Sequence, residues 1–280
     1  MSELTLGYSP CPNDTFIFYA LVHGLLDTKG LKFRERLEDV ETLNALASSG
    51  ALDLTKVSYG AMPGLIEDYV ILRSGGALGR GCGPLLVAKR DVPIESLRGA
   101  RIAVPGLKTT AFLLMRLMDP ALAENVIPMQ FDRIMPAVAS GEVDAGLIIH
   151  EGRFTFEGYG LRRLVDLGQW WESATGEPIP LGCIIMKRSL GMEAASKAQR
   201  LVRASIEYAM AHPDESASYI KRHSQELADE VILAHIGLYV NEFSLDVGAE
   251  GERAVKRLMA MAAERGLSPK LDNDIALFAP

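Results

Sequence analysis

His150 closes the apolar run Ala145-Gly146-Leu147-Ile148-Ile149. It therefore falls at the carboxyl end of an expected strand, where an open α/β sheet places its ligand. An imidazole with an ordinary pKa of about 6.5 takes a proton near neutral pH, so general-base chemistry is what this position offers; a structural turn histidine is the plain alternative. Lys56, Val57 and Ser58 end another apolar strand and supply a cation and a hydroxyl, although a lysine at a strand end is often only solvated. Asn13, Asp14 and Thr15 form one helix start, and Thr109 with Thr110 and Ala111 forms a second. Such starts carry capping side chains, unpaired N–H groups and a positive dipole end, all suited to a carboxylate or another anion. Arg153, three residues past His150, falls at the same expected edge as Ser9 and Lys108.

Several other chemistries are not supported. The run Gly75-Gly76-Ala77-Leu78-Gly79-Arg80-Gly81-Cys82-Gly83 has no GxGxxG frame and precedes a strand, where a dinucleotide loop should open a helix. Glycines this dense suit a backbone passing close to a ligand or bending near a hinge, which makes Gly76 a candidate cleft residue; a surface loop is the alternative. Gly106-Leu107-Lys108-Thr109-Thr110 imitates a phosphate loop, but Leu107 separates Gly from Lys and Arg101 occupies the place of the first glycine. Position 154 is Phe, so His150-Glu151 lacks the second histidine of a zinc protease motif. His23, His212, His223 and His235 show no paired ligand spacing and fall in helical stretches, where packing or exposure is the default; no metal is expected. Cys11, Cys82 and Cys183 form no CxxC pair, and no GxSxG nucleophile elbow occurs.

The elements that must position these residues repeat. Leu4 to Tyr8 reads as a strand stopped by Ser9-Pro10-Cys11-Pro12, with a capped helix over Phe16 to Leu26 behind it. Some ninety residues on, Arg101 to Val104 is a strand, Pro105-Gly106 breaks it and Thr109-Thr110 caps another helix. Ala47-Ser48-Ser49-Gly50-Ala51-Leu52-Asp53 is echoed by Ala139-Ser140-Gly141-Glu142-Val143-Asp144, each a helix stop before an apolar strand. Two further apolar runs, Gly83 to Arg90 and Leu181 to Arg188, end in Lys-Arg and read as chain crossings that could act as a hinge. The expected fold is α/β: one lobe of residues 1–86 plus 181–280 and an inserted lobe of 87–180, around a ligand cleft with two crossover strands. Helices over Met192 to His212, Pro213 to His223, Asp229 to Phe243 and Gly248 to Arg265 should cover the first lobe's sheet. Trp170 and Trp171 should supply one core ring and one surface or cleft ring.

Composition agrees. The 280 residues are 48% hydrophobic and 23% charged, with a formal charge of -7 and no basic run, so no nucleic-acid partner is expected. No stretch approaches the roughly 20 apolar residues of a membrane span. MSELTLGYSP has neither the basic nor the apolar region of a secretory leader, so a cytoplasmic location and reduced cysteines are expected.

The phrase Ser9-Pro10-Cys11-Pro12-Asn13-Asp14-Thr15-Phe16-Ile17-Phe18-Tyr19-Ala20-Leu21 closely resembles the N-terminal signature of the 1,4-dihydroxy-6-naphthoate synthases of the futalosine route to menaquinone. Leu37 to Asn44, Arg73 to Gly81, Gly146 to Glu151 and Val240 to Gly248 resemble the same family, so the likeness spans almost the whole chain. Less similar are the stretch from Met118 to Met129 and the end after Gly266. The resemblance implies the periplasmic-binding-protein type II fold. It also implies a lyase in menaquinone biosynthesis that cleaves the ribose-derived part from cyclic de-hypoxanthinylfutalosine, without metal or organic cofactor. Carried over by motif, His150 is the base, and Lys56 to Ser58 and Thr110 with Ala111 hold a small-molecule carboxylate substrate. Two alternatives share the fold: chorismate dehydratase of the same pathway, whose phrases fit less well, and a carboxylate-binding protein of a transporter, which would ordinarily carry a secretion signal.

Overall fold

The strand-length apolar runs fold into two mixed sheets, in a computed structural model that describes residues 3–225, 228–270, 272 and 275–280. In chain order the strands are β1 (Glu3–Tyr8), β2 (Lys32–Leu37), β3 (Leu54–Ser58), β4 (Tyr69–Ile71), β5 (Ala77–Gly79), β6 (Leu85–Ala88), β7 (Ile102–Val104), β8 (Val126–Pro128), β9 (Ala145–Ile148), β10 (Arg162–Asp166) and β11 (Ile179–Lys187). The α-helices are α1 (Pro12–Val22), α2 (Val40–Ser48), α3 (Thr110–Met118), α4 (Phe131–Ser140), α5 (Gly152–Thr155), α6 (Leu167–Thr175), α7 (Met192–Ala211), α8 (Pro213–His223), α9 (Asp229–Tyr239), α10 (Glu242–Leu245) and α11 (Gly248–Glu264).

Among the described residues the first sheet runs β2-β1-β3-β11-β4, with β5 also paired to β11, and the second runs β10-β6-β9-β7-β8. β1 is parallel to β2 and β3, and β7 is parallel to β8 and β9, whereas β11 and β6 run antiparallel to their neighbours. The carboxyl ends of β1 and β3 thus point one way in the first sheet, and those of β7 and β9 share a direction in the second. Residues at or just beyond these four ends build the site described below.

The expected lobe cuts, after 86 and after 180, fall inside β6 and β11. All of β6 pairs within the second sheet, Leu85 opposite Ile148 and Ala88 opposite Ala145, while β11 pairs wholly within the first. The chain therefore crosses between Gly79 and Leu85 and returns between Asp166 and Ile179. A strand buried on both faces reads as a continuous apolar run whichever sheet it joins, so its sequence does not say to which side of a crossing it belongs.

The core explains the helix order. Ala195, Ala198, Leu201, Val202, Ile206 and Ala209 recur along one face of α7 and pack with Leu4, Leu6 and Ile184 of the first sheet. α4 covers the second sheet through Ile134, Met135 and Val138. α11 shares a cluster with α3, α6 and both sheets, through Ala254, Val255, Leu258 and Ala262. Each large apolar side chain buried in this way contributes about 1.5–3 kcal/mol of transfer free energy. Trp171 is a core ring whose Nε1 donates to the Pro178 carbonyl at 3.0 Å, and Trp170 is half-buried against the same cluster. The helix expected to reach Phe243 stops at Tyr239, because Asn241 caps α10: its side chain accepts from Phe243 N while Ser244 Oγ accepts from Asn241 N.

Candidate active site

At the end of β3 the chain holds Ser58 from two sides. Asn44, wholly buried on α2, accepts from Ser58 N at 2.9 Å and donates to Ser58 Oγ at 3.2 Å. Two residues earlier, Lys56 is not a solvated strand-end lysine. Its side chain is buried, and Nζ donates to Asp14 Oδ1 at 2.8 Å and to the Gly75 carbonyl at 3.1 Å. An ammonium has three donors, so one N–H remains for a ligand.

The start of α1 differs from the expected capped start. The helix begins at Pro12, whose fixed φ suits the first helical position, with Cys11 as a cap that makes no side-chain bond. Asn13, Asp14 and Thr15 lie inside the first turn. The Asp14 carboxylate accepts from Ser9 Oγ at 2.8 Å, Ser9 N at 3.2 Å, Asn13 Nδ2 at 2.9 Å and Lys56 Nζ. The positive end of α1 is thus already complemented by the chain's own carboxylate.

The start of α3 keeps its capacity for an anion. Thr109 is the cap, its Oγ1 accepting from Phe112 N at 3.2 Å, and Leu113 N bonds the Thr109 carbonyl. The N–H groups of Thr110 and Ala111 come earlier in the turn than any intrahelical acceptor, and both residues face the cleft. Thr110 Oγ1 accepts from Gly60 N at 3.0 Å and donates to the Leu181 carbonyl at 2.6 Å, joining the two sheets at this point. Gly60 is required there: a Cβ would lie 2.8 Å from the Thr109 carbonyl oxygen.

His150 follows β9 with φ +55, a left-handed conformation that costs a non-glycine residue about 1–2 kcal/mol and concentrates at functional sites. Its ring is half-buried, edge-on to Phe131 at 5.0 Å. Burial pushes the imidazole down to about 4; the Asp14 carboxylate acts in the opposite sense and the Lys56 ammonium adds to the fall. It is therefore neutral at pH 7, with a lone pair to accept a proton.

These groups line one concave pocket with apolar walls and a few convergent polar groups, the make-up of a small-molecule site. It gathers Asn13, Asp14, Lys56, Val57, Ser58, Thr109, Thr110, Ala111 and His150, all expected from sequence, and adds Cys82, Leu181, Gly182 and Tyr239. Ser9 also lines it; Lys108 is exposed, its Nζ donating to Ser48 Oγ at 2.8 Å. Three candidates lie elsewhere. Thr15 points into the protein, its hydroxyl donating to the Cys11 carbonyl at 3.0 Å. Gly76 does not line the pocket, and its carbonyl accepts from Ser244 Oγ at 2.9 Å. Arg153 is turned away by α5 and spends its guanidinium on the Gly83 carbonyl at 2.7 Å and on Asp166 at 2.6 Å.

Two features had no sequence signal. His235, read as ordinary helix packing, is wholly buried beside Asn13, 222 residues away in the chain. Cys11, His150 and Glu151 each offer one ligand atom, all within 4.8 Å of one another, a set that could hold a thiophilic cation. Against this, burial raises the Cys11 thiol well above its ordinary value and so disfavours the thiolate that a metal takes. Among the described residues no helix is long and apolar enough to cross a membrane.

A family profile described as menaquinone biosynthesis matches residues 4–264. A protein of Thermus thermophilus named 1,4-dihydroxy-6-naphthoate synthase is 56% identical over 96% of this chain and 97% of its own, and one of Streptomyces coelicolor with the same name is 46% identical over 98% of each. A crystal structure of an Archaeoglobus fulgidus protein superposes with a TM-score of 0.89 at 39% identity, covering 95% of this chain and 98% of that one. The alkanesulfonate-binding protein SsuA of Xanthomonas axonopodis, bound to MOPS, superposes at 0.71 with 16% identity over 96% and 95%, which shows a shared periplasmic-binding-protein fold. With identity this high over nearly its whole length, the chain belongs to the menaquinone biosynthesis family, among the 1,4-dihydroxy-6-naphthoate synthases.

Proposed function

We propose that this chain is a carbon–carbon lyase that converts cyclic de-hypoxanthinylfutalosine to 1,4-dihydroxy-6-naphthoate, with His150 as its general base. The observation that carries the reading is a neutral imidazole at the carboxyl end of β9, in the same pocket as the first-turn N–H groups of α3. In this scheme the substrate carboxylate lies against Thr110 N and Ala111 N, with Ser58 and the third N–H of Lys56 beside it. His150 removes a hydroxyl proton, that C–O bond becomes a carbonyl, and the electrons of the breaking carbon–carbon bond pass into the ring, which takes up a proton. Aromatisation supplies the driving force. Asp14 keeps Lys56 in place, and the apolar walls, Val57, Leu181 and Tyr239 among them, keep water from the reacting bonds.

The domain division belongs to the same reading: two lobes, one on each sheet, that close on the substrate. Hydrogen bonds across the cleft support a closed arrangement, Gly60 N to Thr110 Oγ1 at 3.0 Å and Lys108 N to Glu41 Oε1 at 3.1 Å.

The test is to incubate the pure protein with cyclic de-hypoxanthinylfutalosine and, separately, with chorismate, and to follow the products by chromatography. Naphthoate formed by the wild type and lost in His150→Asn, with binding retained, is the expected result. Wild-type turnover in His150→Asn removes the base, and a dehydrated product from chorismate replaces the substrate.

A further inference from the structure

His235, on α9, touches the site residue Asn13 without itself lining the pocket. Its ring is wholly buried, lies 6.2 Å from the His150 ring with the two planes 26° apart, and packs 4.6 Å from Tyr239. Nε2 is 2.9 Å from Asn13 Oδ1. The polarity of this contact follows from its neighbours. Asp14 is an acceptor, so Asn13 presents its amide nitrogen to Asp14 Oδ1 at 2.9 Å and turns its oxygen toward His235. Nε2 must then carry the proton and donate, and Nδ1 carries the lone pair.

Nδ1 is buried and has no hydrogen-bond partner among the described residues. Leaving an acceptor in that state costs about 1–3 kcal/mol, a cost that a phenylalanine or leucine filling the same space would not incur. What the imidazole contributes here is therefore its Nε2–H. That one donor sets the orientation of the Asn13 amide. A reversed amide would turn Oδ1 against the Asp14 carboxylate and disturb the acceptor that holds Lys56.

We infer that His235 is a positioning residue for the reaction: by donating to Asn13 it holds the Asp14–Lys56 pair in the arrangement that faces His150. The inference rests on the proposed role of His150 and can fail separately from it. A glutamine places an amide N–H near the position of Nε2, an asparagine places one near Nδ1, and a phenylalanine offers none. The experiment measures kcat and KM for His235→Gln, His235→Asn and His235→Phe with cyclic de-hypoxanthinylfutalosine, with urea midpoints as a check on folding and His150→Asn alongside.

The asparagine and phenylalanine variants should lose about tenfold or more in kcat/KM, through Lys56 at the substrate carboxylate, while the glutamine variant stays within about threefold of wild type. Equal kcat/KM in the glutamine and asparagine variants overturns the inference, as does wild-type kcat/KM in the phenylalanine variant. Should the phenylalanine variant not fold, the glutamine-to-asparagine ratio of kcat/KM decides alone. Turnover that survives in His150→Asn removes the base, and the same ratio still judges His235.

Discussion

Lys56 Nζ and Asp14 Oδ1 meet at 2.8 Å, with both side chains almost wholly buried, so the cation of the cleft carries its own counter-charge from the first turn of α1. The pair is nearly neutral as a unit. This explains how a lysine stands in an apolar pocket without flooding it with positive potential, while one N–H stays available to a ligand.

Breaking that pair from one side should be costly. Lys56→Met leaves a buried carboxylate with only neutral donors, and Asp14→Asn leaves a buried ammonium facing an amide. Each should destabilise the fold by about 3–5 kcal/mol in urea unfolding, and the double variant by less than the sum. Additive losses would show that the two groups do not act as a pair.

The His150 imidazole is held at about 4 by burial, below the 6.5 of an unperturbed histidine. Between those values the unfolded chain binds a proton that the folded chain does not, so stability is greatest above pH 6.5 and falls as pH drops toward 4. The contribution of this group is on the order of 2–3 kcal/mol. His235 is pushed the same way by its burial, so His150→Asn should reduce the slope of stability against pH in this window without removing it. Urea midpoints measured from pH 7 to pH 4 test this, and an unchanged slope contradicts it.

The proposed closure of the cleft depends on a missing side chain. A Cβ on Gly60 would sit 2.8 Å from the Thr109 carbonyl oxygen, and Gly60 N bonds Thr110 across the cleft. Gly60→Ala should therefore hold the two halves apart. The expected result is a fall in kcat/KM of about tenfold or more, with thermal stability changed by only about 1 kcal/mol. Small-angle scattering with substrate should show an envelope that no longer contracts.

Arg153 should matter to stability and not to substrate affinity. Its partner Asp166 is buried and also caps α6, accepting from Gly168 N at 2.9 Å and Gln169 N at 3.2 Å. Arg153→Ala should cost about 3 kcal/mol in unfolding with KM for the naphthoate precursor within about threefold of wild type. A large rise in KM at full stability would return Arg153 to the cleft.

How much was legible follows residue by residue. His150, Ser58 and Ala111 could be read because each stands where a local pattern ends, at an apolar run or a Pro-Gly break, and parallel strands bring such ends to one edge. Thr15 and Arg153 satisfied the same local rule and still point elsewhere. Thr15 bonds the carbonyl four residues before it, and Arg153 follows a short helix back to Asp166. Local pattern locates a backbone position; the direction of a side chain depends on what packs around it.

What the sequence determined by itself was therefore the repeated strand, loop and helix order, the edge that gathers the candidate site residues, and the family. These rest on local periodicity, turn residues and long motif phrases, all carried within short stretches of chain. The tertiary structure alone decided which sheet β6 and β11 join, that Lys56 is neutralised by Asp14, and that His235 stands behind Asn13. Each of these relationships joins residues far apart in the chain, and burial determines what each contact does. Its strength and its effect on protonation come from removing the groups from water, which no local pattern records.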